Sequence, residues 1–150
     1  MAKTDSELVH IDRIDRQILE PLQKNGGLTN QQLAERVGLS PSPCSRRVKA
    51  LEEAGIILGR KTLLERRKLG LSLTVILQIG MDRHTPERFQ EFEEQVATYP
   101  EVQELYLITG QQADYILKVV VPDMEHYQQF LLNKITRITG VSGVHSSFVM

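Results

Sequence analysis

Thr29-Asn30-Gln31-Gln32-Leu33-Ala34-Glu35-Arg36-Val37-Gly38-Leu39-Ser40-Pro41-Ser42-Pro43-Cys44 decides the fold of the first half of this chain. A threonine followed three residues later by a glutamine is a capping box, in which each side chain bonds the other's backbone N–H at the start of a helix. Leu33, Ala34 and Val37 give that short helix one apolar face, and Gly38 stops it, because glycine accepts the left-handed backbone that closes a helix. Ser40 at an N-cap position and Pro41 at the first helical position then open another helix. Its apolar side is Cys44, Val48 and Leu51, and its end is Gly55. Upstream, Ile11, Ile14, Ile18, Leu19 and Leu22 recur at helical spacing, with Asp12, Arg13, Asp15, Arg16 and Gln17 between them. They predict a supporting amphipathic helix that ends at Asn25-Gly26-Gly27. Two helices joined by Gly38-Leu39-Ser40, after a supporting helix, make a helix-turn-helix.

Downstream the texture changes. Ile56-Ile57-Leu58, Gly59-Arg60-Lys61 and Thr62-Leu63-Leu64 predict a short β-hairpin, or wing, with a basic tip. Glu65 to Gly70 is a charged connector that holds the boundary between a DNA-binding-type domain over 1–68 and a second domain over 69–150. In the second domain Leu73 to Met81 reads as a strand, and Thr85-Pro86 opens a helix with Phe89, Phe92 and Val96 inward. Val102 to Thr109 and Tyr115 to Val121 read as strands joined across Gly110 to Asp114. Asp123 caps a helix bearing Tyr127, Phe130, Leu131, Ile135 and Ile138, and Val144 to Val149 is the last strand. The order βαββαβ is ferredoxin-like, so the class is α+β with both helices on one sheet face.

That arrangement puts Leu73, Val75, Leu77, Ile79, Leu105, Leu107, Leu117, Val119 and Val121 under the helices. The opposite phase carries Ile76, Tyr106, Ile108, Ile116, Val120 and Val149. Such a patch exceeds what a soluble monomer usually exposes, so this face is expected to pack on a second copy. The plainer alternative is an antiparallel sheet that wets one mixed face.

Composition narrows the function classes. With 150 residues, 41% hydrophobic and 25% charged, the chain has room for one domain or two small ones. Its longest apolar run, Leu73 to Met81, is broken by Thr74, Gln78 and Gly80 and falls short of the roughly 20 residues of a membrane span. No membrane partner is expected. Acidic residues stand where a secretory signal would place its apolar core, which points to the cytoplasm. One cysteine, Cys44, excludes an internal disulfide framework, and Cys44, His10, His84, His126 and His145 show no metal-ligand spacing. Residues 1–68 hold 13 Lys and Arg against 9 Asp and Glu, and the remainder 5 against 10. A basic first half beside an acidic second half suits a nucleic-acid-binding module joined to something else.

With Cys44, Val48 and Leu51 on the core side of the third helix, Ser42, Ser45, Arg46 and Lys49 project from the opposite side, and Arg47 sits at the flank. Hydroxyls and guanidinium groups on the first turns of a helix suit the major groove of double-stranded DNA, where arginine pairs with guanine O6 and N7. Arg47 is placed for a phosphate contact or an internal ion pair. Arg60 and Lys61 at the hairpin tip can reach adjacent phosphates, although basic tips also serve solubility alone.

Several stretches together resemble the Lrp/AsnC family of transcriptional regulators: Ile14-Asp15-Arg16-Gln17-Ile18-Leu19, Gln31 to Cys44, Arg47-Val48 with Leu51-Glu52, Gly55-Ile56-Ile57, Thr109-Gly110, Asp114-Tyr115-Ile116-Leu117-Lys118, Val121-Pro122-Asp123-Met124 and Gly140-Val141. The resemblance covers nearly the whole chain. It implies a C-terminal domain that dimerises through its sheet, assembles further, often to octamers, and binds a free amino acid between dimers, with no cofactor. It also implies an effector pocket from Thr109, Gly110, Gln111, Gln112 and Asp114, with Tyr106 beside it and the Ser146 hydroxyl from the last strand. Backbone amides beside Gly110 can hold a carboxylate and Asp114 can pair with an ammonium group, while turn formation alone would also account for Asp114. The turn Gly110-Gln111-Gln112-Ala113-Asp114 is one residue longer than the Gly-x-x-Asp of many members, and Val144 stands where a threonine is common. Leucine or methionine is the expected effector, since little charge is available to pair an ionic side chain. Two other readings belong to different classes: a tetrapyrrole decarboxylase, which some relatives of the family are, and an amino-acid-binding module without a DNA role. The first needs convergent acid, base or nucleophile groups that the scattered histidines do not supply; the second has no use for an outward Ser45, Arg46 and Lys49.

Overall fold

A computed structural model describes residues 10–108 and 113–150. The chain divides into two compact units, one ending at Leu63 and one from Leu64 to Met150. The division falls earlier than the 68/69 boundary read from the sequence, because the connector folds with the second unit: Leu71 N–H bonds Arg66 O at 2.9 Å and the Arg66 guanidinium donates to the Thr74 hydroxyl.

The first unit is three helices, α1 (Arg13–Lys24), α2 (Asn30–Val37) and α3 (Pro41–Glu53). Both α1 and α2 begin with reciprocal capping boxes, Asp12 with Asp15 and Thr29 with Gln32. Gly38, at φ 71°, closes α2 in the left-handed conformation and frees the chain to turn at once into α3. Ser40 has the extended backbone of an N-cap, while its side chain makes no cap bond. Ile18, Leu28, Leu33, Ala34, Cys44, Val48 and Leu51 form the buried centre, drawn from the apolar faces that the spacing defined except for Leu28, which comes from the loop between α1 and α2.

The hairpin expected over 56–64 does not form as paired strands. Ile56 and Ile57 N–H groups both bond Leu51 O, at 3.0 and 3.1 Å, so these two residues finish α3 in place of entering a ladder. Their side chains pack against the helical core. Past them Leu58 and Leu63 are each 94% exposed.

The second unit runs β1 (Leu73–Met81), α4 (Pro86–Ala97), β2 (Val102–Leu107), β3 (Tyr115–Val121), α5 (Met124–Asn133) and β4 (Val141–Phe148), with 3₁₀ turns at Arg66–Leu69 and Ile135–Arg137. The four strands form one antiparallel sheet in the order β2-β3-β1-β4, the ferredoxin-like βαββαβ arrangement. Val75, Leu77, Ile79, Tyr115, Leu117 and Val119 are fully buried against Phe92 and Val96 of α4 and Tyr127 and Phe130 of α5. A register shift between Val102 and Glu104 lets Val102 and Leu105 both reach this core. Three sequence expectations shift. Leu107, at the end of an edge strand, is 55% exposed and not under the helices; α5 stops at Asn133, leaving Ile135 buried from a 3₁₀ turn; and β4 starts at Val141, ahead of Val144.

Neither α4 nor α5 covers the sheet's other face. Ile76, Ile108 and Ile116 are half-buried there and Tyr106 and Val149 exposed. Val120 and its ladder partner Thr74 are buried, Thr74 beneath the Arg66 bond that brings the connector onto this corner.

Candidate nucleic-acid interface and effector site

The third helix turns Cys44, Val48 and Leu51 into the core, which leaves Ser42, Arg46 and Lys49 exposed and Ser45 half-buried on its other side. The Ser45 hydroxyl accepts from the Asn30 side-chain amide at 3.2 Å, so the start of α2 braces the start of α3. Asn30 escaped sequence reading because the pair is 15 residues apart with no periodic signal. Arg46 has no ion-pair partner among the described residues, whereas Lys49 lies 3.7 Å from Glu53 one turn on.

Arg47 does not belong to the outward stripe. Its Nη1 donates to Asp12 at 2.7 Å and to Asp15 at 2.8 Å, the two carboxylates of the α1 capping box. Of the two roles open to it, the internal ion pair is the one filled. The Asp15 N–H, and then the Arg47 guanidinium, hold the Asp12 carboxyl below its ordinary range, and Arg47 is shifted upward in return. Arg60 and Lys61 are exposed on an irregular segment, Arg60 within 3.7 Å of Glu52 and with its stem beside Gly26. Neither sits on a hairpin tip.

In the second unit, Asp114 is mostly buried at the end of β1. Its Oδ2 accepts from Met81 N–H at 2.7 Å and its Oδ1 is 2.7 Å from His84 Nε2. Tyr106 stands on the uncovered face, its hydroxyl donating to Glu104 at 2.8 Å; that bond pushes the phenol's pKa up. Glu104 also accepts from Lys118 at 2.9 Å. Ser146 pairs with Leu77 across the ladder and therefore points to the helix-covered face, where its hydroxyl bonds the Tyr127 hydroxyl of α5. Tyr106 and Ser146 thus occupy opposite edges of the sheet, three strand spacings or about 14 Å apart, on opposite faces. Thr109, Gly110, Gln111 and Gln112 lie outside the described residues. Among the described residues no three His, Cys, Asp or Glu side chains group closely enough to hold a metal, and no helix is long and apolar enough to cross a membrane.

Comparison with known proteins places both units. The signature of the Lrp/AsnC ligand-binding domain matches residues 74–150 and that of a winged helix-turn-helix DNA-binding domain matches residues 11–57. The chain belongs to the Lrp/AsnC family of transcriptional regulators. The leucine-responsive regulatory protein of Escherichia coli K12 is 43% identical over 140 residues, which span 93% of this chain and 85% of that protein. A transcriptional regulator of Neisseria meningitidis in complex with L-methionine has the same architecture at a TM-score of 0.87 and 38% identity, over 94% of this chain and 90% of that one. An AsnC-family regulator of Agrobacterium tumefaciens superposes at 0.85 with 41% identity, over 93% and 90%. The chain is therefore a transcriptional regulator with a DNA-binding and a ligand-binding domain and not an enzyme, which removes the decarboxylase reading as well as a ligand module without DNA.

Proposed function

We propose that this regulator reads its operator with Ser42, Ser45, Arg46 and Lys49 of α3 in the major groove, and that Arg60 and Lys61 touch flanking phosphates. The observation that carries this is the Arg46 guanidinium, without an ion-pair partner among the described residues, on the exposed side of a helix whose other side is locked into the core. The uncovered sheet face, with Ile76, Ile116 and Tyr106, pairs with a second copy, and dimers assemble further, to octamers. The effector is a free amino acid with an apolar side chain, leucine or methionine, bound between dimers. Its ammonium goes to Asp114 and its carboxylate to the turn of Thr109, Gly110, Gln111 and Gln112; Tyr106 and Ser146 are contributed by neighbouring chains, which accommodates their separation within one chain. Leucine responsiveness in the Escherichia coli relative's name and L-methionine in the Neisseria complex support this class of ligand. An unpartnered ionic side chain in such a site would cost several kcal/mol, whereas an aliphatic one gains roughly 1.5 to 3 kcal/mol.

A thermal-shift screen of the common amino acids tests the effector, since a ligand of the folded state raises the melting temperature by mass action. Leucine or methionine should give the largest rise, and a larger rise with lysine or glutamate would contradict the assignment. Operator selection from random duplexes, followed by gel shifts with and without that ligand, tests the DNA reading.

A further inference from the structure

Asp114 is already engaged on both oxygens. Oδ2 is fixed by the Met81 N–H at the β1 bulge, inside the unit, and cannot turn outward without leaving that amide unpaired. Oδ1 is the oxygen left for an incoming cation, and His84 Nε2 sits on it at 2.7 Å. An ionised carboxylate only accepts, so Nε2 carries a hydrogen and donates. The two side chains differ in how firmly they are held. Asp114 is 19% exposed, whereas His84 is 67% exposed on the loop between β1 and α4, braced only edge-on against Phe89 with ring centres 6.0 Å apart. The imidazole therefore leaves at little cost while the carboxylate stays.

We propose that His84 is a competitor built into the effector site: it caps Asp114 Oδ1 when no effector is bound, and the ammonium of the amino acid displaces it. The inference rests on the reading that Asp114 receives that ammonium. No covalent step is involved; one donor to Oδ1 is exchanged for another. His84 is then a specificity-determining residue, since only a ligand with a charged amine gains enough at Oδ1 to replace an imidazole N–H. A des-amino ligand leaves the cap in place and has nothing to gain from its removal.

Calorimetry on the full-length protein decides the matter, using the amino acid that stabilises it most in a screen of the common amino acids, together with that compound's des-amino analogue. His84→Ala is expected to tighten the amino acid about two- to fivefold, the scale of one partly exposed side-chain pair, and to leave the des-amino analogue unchanged. His84→Gln, which keeps an N–H donor, should fall between. In the wild-type protein the His84 ring signals in NMR should move to a solvent-exposed position on addition of the amino acid. Unchanged or weaker amino-acid binding in His84→Ala, alongside strong loss in Asp114→Asn, overturns the competitor role and leaves the Asp114 reading standing. Normal binding in Asp114→Asn, or no binding by any amino acid, overturns that reading and the inference with it. If Asp114→Asn does not fold, a static His84 ring on titration is itself the overturning result.

Discussion

Arg47 of α3 donates to Asp15 of α1 at 2.8 Å, across 32 residues of sequence, and the same nitrogen reaches Asp12 at 2.7 Å. One guanidinium thereby ties the recognition helix to the reciprocal cap that starts the supporting helix. Its loss leaves two carboxylates facing each other without a cation, and the pitch of α3 against α1 loses its polar constraint. Arg47→Met should lower the melting temperature of the helical unit, read by far-ultraviolet circular dichroism, and weaken operator binding without altering base preference. Arg47→Lys should recover only part, because an ammonium lacks the planar fork. The pH dependence has a definite sign. Asp12 titrates below its ordinary value in the folded chain, so its contribution is fully present above the unfolded carboxylate range and disappears as pH falls through the lowered value, below about 4. Melts between about pH 3 and 7 should therefore be steeper at the acid end for wild type than for Arg47→Met, which retains only the backbone N–H groups of Asp15 and Ile14 beside Asp12.

Arg46 and Lys61 should separate base reading from backbone contact. Arg46→Ala is expected to cost about 1 to 3 kcal/mol on the selected operator and to relax preference at one position, if its fork reads a guanine. Lys61→Ala should weaken all duplexes alike and reduce the salt slope by about one. Fluorescence anisotropy at several salt concentrations checks both, and a uniform, salt-linked loss in Arg46→Ala would reassign Arg46 to phosphate.

These roles were unequally legible in the sequence. The helices and strands were readable because capping boxes, Gly38 and two-residue alternation are local signals, and Leu73–Met81 and Tyr115–Val121 came out as expected. The hairpin failed because Ile56-Ile57 has strand character locally, while the Leu51 carbonyl, out of view in a strand pattern, captures both N–H groups. An internal ion pair was one of the two roles legible for Arg47, but its partners Asp12 and Asp15 were not, and the His84 cap was missed, for one reason: each contact joins side chains at least 30 residues apart, and no periodicity encodes such a pair. Ser146 was readable as a strand residue but not as to face, since its phase depends on the register with Leu77.

Ile116 tests the pairing of copies. It lies on the uncovered face opposite Tyr106 and Gln78 in the two flanking strands. Ile116→Asp would bury an unpaired charge in the proposed interface, and is expected to convert dimers and larger assemblies to monomers in sedimentation velocity at micromolar concentration. A wild-type chain that sediments as a monomer there would dispose of the interface. Because the two DNA-binding units of a two-fold dimer face successive grooves, selected half-sites should lie about 34 Å apart, one helical turn, or a multiple of it.

Gly140 precedes β4 with φ 96°, a backbone that side chains disfavour, and its carbonyl accepts the Asp82 N–H at 2.8 Å. A Cβ built there would stand 2.4 Å from Arg88 Cδ and 2.8 Å from Nε, far inside contact distance. Arg88 is tucked in at 18% exposure, its Nε 3.2 Å from Asp82 and its Nη1 3.3 Å from Glu91. Gly140→Ala therefore carries two penalties: backbone strain of about 1 to 2 kcal/mol, and expulsion of Arg88 from its carboxylates, a partly exposed pairing that adds up to about 1 kcal/mol. Only the second depends on Arg88. All four tyrosines, Tyr99, Tyr106, Tyr115 and Tyr127, lie in the C-terminal unit and no tryptophan is present, so tyrosine fluorescence follows urea unfolding of that unit. Gly140→Ala should lose about 1 to 3 kcal/mol there. Arg88→Ala should be destabilising in the wild-type background and nearly neutral once Gly140→Ala is in place, because the side chain it removes has already been displaced. Full additivity of the two substitutions would mean that Gly140 and Arg88 do not constrain each other and that the penalty is backbone strain alone.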